Sequence, residues 1–558
     1  MGRLPRDQIG EIRLWRVNDR ILDQDKEMGG SIMRRRFVVV LLLAMVAVGV
    51  IGQPVALASA REAALASVKA GVYITQSPQF FDVNASTIPV TALVANFSTA
   101  PVTVTRVEVR IGSLVKEETG TWRAVQVGEA CQSKEQFDES WAIIQRPGVK
   151  GPDSHAKVDA LFSLLEETKG RYDAIKFNLS APEGVSPGDT FEYTLTAELS
   201  TGQTVSTAGT LNAQSLTVPS GWLLGDAHIH STWSDGQLSP AEIKTRAQSL
   251  GHEFTYLTDH IDLILAGAVW TTYYDAIASE STSTYTMLPG LEATAKDADG
   301  DGDMDGDALG FGLPRDNNAI WAIDNQQETC AELINTIQST GPYASAYVAH
   351  PDSILGPSWD DTGCGYDGVQ IIDFGMTTWE SSMIDYATTC RAAALGGTDL
   401  HYSFQSMGKG TWVYAPAWAG TTDWSSRHTY IAQSFLNGTT TATKDGSFAY
   451  FTIDDHYPGA EYSIASGTRA SIDVFIAALD NGYAVQITWD LYRNSTWING
   501  TTTNVLPSGS SPSWENLSET IQNGVSSYYL KVRYDYKYSD GTTAFTSYAY
   551  CGPIYTNR

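Results

Sequence analysis

Between positions 221 and 401, five short apolar runs each finish on a histidine or a carboxylate. "LLGDAHIH" ends with His228 and His230, and "EFTYLTDH" ends with Asp259 and His260. "YTMLPGLEA" carries Glu292 near its end, "YASAYVAHP" carries His350, and "ALGGTDLH" closes on Asp399 and His401. Such runs, bounded by turn residues, read as strands. On a strand, positions i and i+2 share a face, so His228 and His230 project together beside the loop that holds Asp235. Between the first two runs, "SPAEIKTRAQSLG" (239–251) reads as a helix. Ser239 and Glu242 form a capping box, Pro240 occupies the first helical position and Gly251 closes the end. Strands alternating with helices predict a β/α region whose strand ends gather on one face, where barrel enzymes build their sites. A core or loop role explains any one of these histidines. It does not explain why five of the nine share one topological position. Imidazole and carboxylate together are ordinary ligands for Zn, Mn or Fe, so the pattern predicts a metal centre.

A chain of 558 residues is too long for one core and divides into about three domains. Residues 70–220 are rich in β-branched runs such as "TIPVTALVANFS" and "VTVTRVEVRIG", the pattern of a β-sandwich, interrupted by one helical patch at 156–170. Residues 221–425 hold the β/α block, and β-patterns return over 426–558. Residues 33–60 read as a secretory signal: Arg34, Arg35 and Arg36, an apolar stretch from Phe37, and the small-x-small end Ala58-Ser59-Ala60. The start is then expected at Met33, with 1–32 outside the fold. Residues 1–60 hold nine basic and six acidic residues, so their removal takes the net charge from −27 to −30. That charge excludes a nucleic acid partner and suits an extracellular chain or one that captures cations. Five cysteines are too few, and odd in number, for a disulfide framework, leaving room for one or two bridges.

"DAHIHSTWSDG", "LTDH", "GLEAT", "AHP" and "GTDLH", in this order, resemble the PHP (polymerase and histidinol phosphatase) superfamily of metal-dependent hydrolases over about 200 residues. "ALGFGLPRD", "TKDGSFAYFTID" and "SYAYCGPIYTNR" resemble its secreted carbaryl-hydrolase-like branch. The resemblance implies a distorted seven-stranded (β/α) barrel, here flanked by an N-terminal β-sandwich and a C-terminal β-sandwich-like module. It also implies two or three divalent transition metals. His228, His230, Glu292 and Asp399 would hold one. Glu292 would bridge to a second, held by His350 and by Asp307, which stands where many relatives have a histidine. Asp235, His260 and His401 would hold a third. Glu292, His350 and Asp259 are the expected catalytic groups, with Asp226 and Asp259 orienting ligating imidazoles. Asp307 favours a harder ion such as Mn, or a weaker second site.

In "KDADGDGDMDGDA" (296–308), Asp297, Asp299, Asp301, Asp303 and Asp305 follow the spacing of a calcium loop, without its closing glutamate. Calcium and a merely solvated acidic insertion are equally open. Arg315 and Lys409 are candidates for an anionic substrate group. Trp412, Trp418 and Trp424 are expected to pack the barrel against the C-terminal module, rather than to line a pocket. The favoured function is a secreted phosphoesterase acting on a small molecule through a metal-bridged hydroxide. A carbamate, ester or amide hydrolase is the alternative on the same centre. A non-catalytic cation-binding surface or adhesion protein, with contacts through the β-modules, is the alternative of a different class.

Overall fold

The structure is a computed structural model that describes residues 71–74, 80–97, 100–127, 165, 170–267, 269–296, 304–323, 327–351, 365–372, 390, 392–403, 405, 407–408, 410–510, 512–522 and 524–557. The expected signal segment and nearly all of the helical patch at 156–170 fall outside them. Among the described residues, no helix is long and apolar enough to cross a membrane.

The N-terminal part is two sheets closed on one core. One sheet sets Gly71–Ile74, Val125–Gln126 and Ile175–Ser180 around Thr87–Asn96. The other runs in the order Phe80–Asp82, Thr204–Gln214, Thr190–Leu199, Thr103–Ile111, Leu114–Arg123. Alternation makes this possible. In "IKFNLS" every second residue is buried, and Ile175, Phe177 and Leu179 meet Val107, Leu195 and Leu211 from the facing sheet.

The β/α block curls around its site as a distorted half-barrel. Trp222–Asp226, Phe254–Leu257 and Thr286–Pro289 pair in parallel. The helix Pro240–Ser249 sits between the first two, with Ser239 and Glu242 completing the expected capping box and Gly251 at φ +78° beyond its end. A second sheet runs Leu291–Thr294, Asp307–Phe311, Ser345–Val348, Gly368–Ile372, Ala393–Gly396. The two sheets meet through the bridges His260 to Glu292 and Ile229 to Leu400. The half-barrel is consistent with the distorted (β/α) barrel expected, and it departs from plain alternation in two respects. The strands are shared between two sheets, and Asp307–Phe311 runs antiparallel to both neighbours.

Position 425 is not a break in the sheet. From Trp222–Asp226 it continues through Gly410–Tyr414 and Thr440–Thr443 to Thr543–Thr556, Ser526–Lys537, Ala484–Arg493 and Thr496–Thr502. A three-stranded sheet of Phe448–Ile453, Arg469–Ala477 and Ser513–Thr520 covers its far end over a core that includes Trp222, Trp412 and Phe448. Trp412 thus ties the half-barrel to the C-terminal sheet. Trp418 and Trp424 instead donate to Thr286 Oγ1 and the Met287 carbonyl, packing the helix Trp424–Asn437 against that strand. Cys390 is disulfide-bonded, and Cys330 and Cys551 are buried.

Candidate metal centre

The segment after Trp222–Asp226 stays extended, so Ile229 turns into the core while His228 and His230 turn to the opposite side. Their Nε2 atoms stand 3.2 Å apart, and both rings are fully buried. His228 Nε2 lies 3.4 Å from Glu292 Oε2 and 3.2 Å from Asp399 Oδ1. His230 Nε2 lies 3.0 and 3.2 Å from the same two atoms. Four donors held about 2.0 Å from one ion at tetrahedral corners stand about 3.3 Å apart. Five of the six edges of this group, at 3.0–3.4 Å, therefore have the lengths such a site would need. Asp399 Oδ1 is buried with no hydrogen-bond partner, as expected of an oxygen aimed at the centre of the group.

The hydrogen bonds fix which nitrogens face that centre. The His350 backbone N–H donates to Gln370 Oε1 (3.2 Å), which settles the orientation of the Gln370 amide. The same oxygen lies 2.8 Å from His228 Nδ1, so Nδ1 carries the proton and Nε2 presents a lone pair inward. His401 repeats the device: Nδ1 donates to the Asp399 carbonyl (3.2 Å), leaving Nε2 to face Asp235 Oδ2 at 3.3 Å. A bare imidazole nitrogen beside a carboxylate oxygen is repulsive unless a cation lies between them.

Two further groups adjoin the first. His350 Nε2 lies 3.1 Å from Glu292 Oε1 and 3.8 Å from Asp307 Oδ2, and Asp307 Oδ1 is buried without a partner. Asp235, His260 and His401 form the third group, with His230 at its edge. The eight residues expected from the strand ends and the Asp235 loop, together with Asp307, therefore converge in three overlapping clusters of potential ligands. Glu292 is the common member of the first two, offering one oxygen to each. The third is the open side: Asp235, His260 and His401 are 32, 27 and 20% exposed, against 1% for Glu292.

The electrostatics follow from this crowding. Burial would raise the Glu292 carboxyl, but positive charge beside it prevails: where no cation sits among these groups, protonated His228 and His260 and hydrogen bonds from the imidazoles hold it well below the usual carboxylate range. Asp399 behaves alike, with His228 and His401 overcoming its burial. Asp307 goes the other way. Burial and the nearby Glu292 charge push it up to about 7, so a cation beside it would favour the ionised, ligating form at neutral pH.

The backbone bends to reach this geometry. Asp399 sits at φ +47°, a conformation aspartate tolerates better than most residues. Just before it, a Cβ on Gly397 would stand 2.5 Å from His228 Cβ, so only glycine lets the two strand ends close on each other.

Two expected roles are corrected. Asp226 accepts from the Thr398 N–H (3.0 Å), Thr398 Oγ1 (2.6 Å) and the His228 N–H (3.2 Å). It staples the first strand to the segment before Asp399 and does not orient an imidazole. Asp259 accepts from the Ser231 N–H (2.6 Å), Ser231 Oγ (2.8 Å) and Ser234 Oγ (2.6 Å). Its carboxylate fastens the loop that carries Asp235, which removes it from the catalytic candidates. The imidazole-orienting group is Gln370, which the sequence analysis missed. Its signal was present: an amide in the middle of the buried run "GVQII". Arg315 is exposed and grips Asp275 with two nitrogens (2.7 and 2.6 Å), so it is not turned toward the clusters. Lys409, Asp297, Asp299, Asp301 and Asp303 lie outside the described residues. Asp305 is buried, and its carbonyl accepts from the Cys330 thiol.

No family model matches the sequence, and no curated protein matches it. Among solved structures, the chain is similar to a two-domain protein from Bacteroides vulgatus containing a predicted PHP-like metal-dependent phosphoesterase. The identity is 13% and the TM-score 0.33, over 57% of this chain and 93% of that one. It is also similar to an amidohydrolase from Chromobacterium violaceum with bound sulfate and no metal, at 16% identity and a TM-score of 0.26, over 33% of this chain and 90% of that one. At such scores the likeness carries no weight beside the geometry. What the geometry shows is three overlapping clusters of His, Asp and Glu compatible with divalent metal ions.

Proposed function

We propose that this chain is a metal-dependent phosphoesterase, exported from the cytoplasm, that acts on a small-molecule phosphoester. The observation that carries the reading is the shared carboxylate, with Glu292 Oε2 among His228, His230 and His260 and Glu292 Oε1 against His350. Divalent ions in these clusters would supply Lewis acidity, lowering the pKa of water and neutralising charge on a phosphoryl oxygen. Glu292 keeps two such sites within the span of one carboxylate. Gln370 holds the proton on His228 Nδ1, so that Nε2 stays a ligand, and the Asp399 carbonyl does the same for His401. Fully buried His228 and His230 keep the inner wall dry, which strengthens every charge interaction there. The half-exposed Asp235, His260 and His401 mark the side from which a substrate oxygen enters. The disulfide at Cys390 supports export, since such bonds persist in oxidising compartments.

The test is turnover by the purified chain, loaded in turn with Zn, Mn and Fe, on aryl phosphomonoesters, phosphodiesters, carboxyl esters and carbamates. Phosphoester cleavage that Glu292→Gln abolishes is the expected result. Turnover confined to esters or carbamates would reassign the substrate class. No turnover by a metal-loaded chain would leave a cation-binding protein.

A further inference from the structure

One buried charge has no part in the centre described above. Arg246, on the helix Pro240–Ser249, is 2% exposed and forms no ion pair among the described residues. Burying a guanidinium without a carboxylate is costly, and an apolar side chain of similar size would avoid that cost. What the guanidinium does instead is reach two segments at once. Nη2 donates to Thr91 Oγ1 (2.8 Å) on the N-terminal strand Thr87–Asn96 and to the Ser403 carbonyl, two residues beyond His401.

Gln237 makes a second tie nearby. Its backbone N–H donates to the His401 carbonyl (2.8 Å), and its Oε1 accepts from the Ser403 N–H and Oγ (3.3 Å each). On its other side, Gln237 Nε2 donates to Tyr172 Oη (3.2 Å). Its carbonyl accepts from Lys176 Nζ (3.3 Å), on the strand Ile175–Ser180. Gln237 lies two residues after Asp235. The loops that carry Asp235, Asp399 and His401 are thus joined to each other and then to Thr91, Tyr172 and Lys176 of the N-terminal part.

We propose that the N-terminal β-sheet is a working part of the metal centre, with Arg246 and Gln237 as positioning residues that fix the Asp235 and His401 loops. The inference rests on the metal-centre reading. Its consequence is selective: the open cluster of Asp235, His260 and His401 depends on the brace, while His228, His230 and Glu292 are held by the strands themselves.

The experiment compares the full-length wild type with Arg246→Met, Arg246→Lys and Thr91→Val. It measures metal stoichiometry, metal affinity by chelator competition, kcat and KM against added metal, and the melting temperature. Losing a partner that orients a ligand typically weakens metal binding about 10- to 100-fold. Arg246→Met should weaken the most loosely held ion by that factor, and excess metal should restore kcat. Arg246→Lys, which still reaches one acceptor, should lie between it and the wild type. If Arg246→Met melts lower but holds every ion with wild-type affinity, the residue only packs two parts together and the proposal falls. If that variant does not fold, Thr91→Val decides. It removes one acceptor at constant shape, and unchanged metal affinity there overturns the brace. A wild type without metal would instead sink the proposed function and the brace with it.

Discussion

Replacing Gln370 with methionine keeps the volume of a buried side chain and removes one acceptor oxygen. Two donors converge on that oxygen, His228 Nδ1 at 2.8 Å and the His350 backbone N–H at 3.2 Å. The His228 ring is fully buried, so water cannot take the place of the lost acceptor. An orphaned buried donor costs about 1–3 kcal/mol, and the longer bond to His350 belongs at the low end, giving about 2–4 kcal/mol together. The proton on His228 also becomes free to move to Nε2, where it blocks the ligand position. Losing such an orienting bond typically lowers metal affinity about 10- to 100-fold. Urea unfolding of the metal-free protein reads the first effect, and chelator competition at neutral pH reads the second. Gln370→Glu, which retains an acceptor, should keep far more of the metal affinity than methionine does. If Gln370→Met unfolds at the wild-type urea concentration and binds metal as tightly, the tautomer argument for His228 is wrong.

Three further outcomes follow from the same geometry. Glu292→Gln should lose at least one bound ion per chain and all turnover while keeping its far-UV circular dichroism, because one charge serves two clusters. Asp259→Ala frees Ser231 and Ser234, so it should cost about 1–3 kcal/mol in urea unfolding and weaken metal held by Asp235 while turnover survives at saturating metal. Glu253, away from the centre, is pushed up to about 7 by burial and by neighbouring Asp82. A carboxyl whose folded pKa is raised binds its proton more tightly in the folded state, so its contribution is lost as pH rises from about 4.5 through 7. Glu253→Gln should therefore raise stability at pH 8 by up to about 3 kcal/mol and change little near pH 4.5, as paired thermal melts would record.

The strand ends were legible because their periodicity is local. His228 and His230 share a face in the structure as alternation requires, and the helix that follows them carries its capping box where Ser239, Pro240 and Glu242 place it. The ligand-bearing runs, read separately, meet in one place. What local pattern does not hold is partner choice. The antiparallel run of Asp307–Phe311, and the sheet that crosses position 425 into Thr543–Thr556, are pairings between distant segments. Asp226 and Asp259 show the same limit at single residues. Each precedes a ligand or lies beside one, which suggested an imidazole partner, yet each closes a loop through serine, threonine and backbone donors instead. Gln370 is 142 positions from His228, and nothing short of the packed sheets brings them together.

The central claim is that His228, His230, Glu292 and Asp399 surround a metal ion. Anomalous diffraction from crystals of the full chain, measured at the Zn, Mn and Fe edges, tests it without reference to any substrate. A peak is expected about 2.0–2.2 Å from both Nε2 atoms and from the nearest oxygens of Glu292 and Asp399, with neighbouring peaks beside His350 and between Asp235 and His401. Crystals grown with metal that show no peak among those four side chains, or that show one only elsewhere on the chain, would contradict the account.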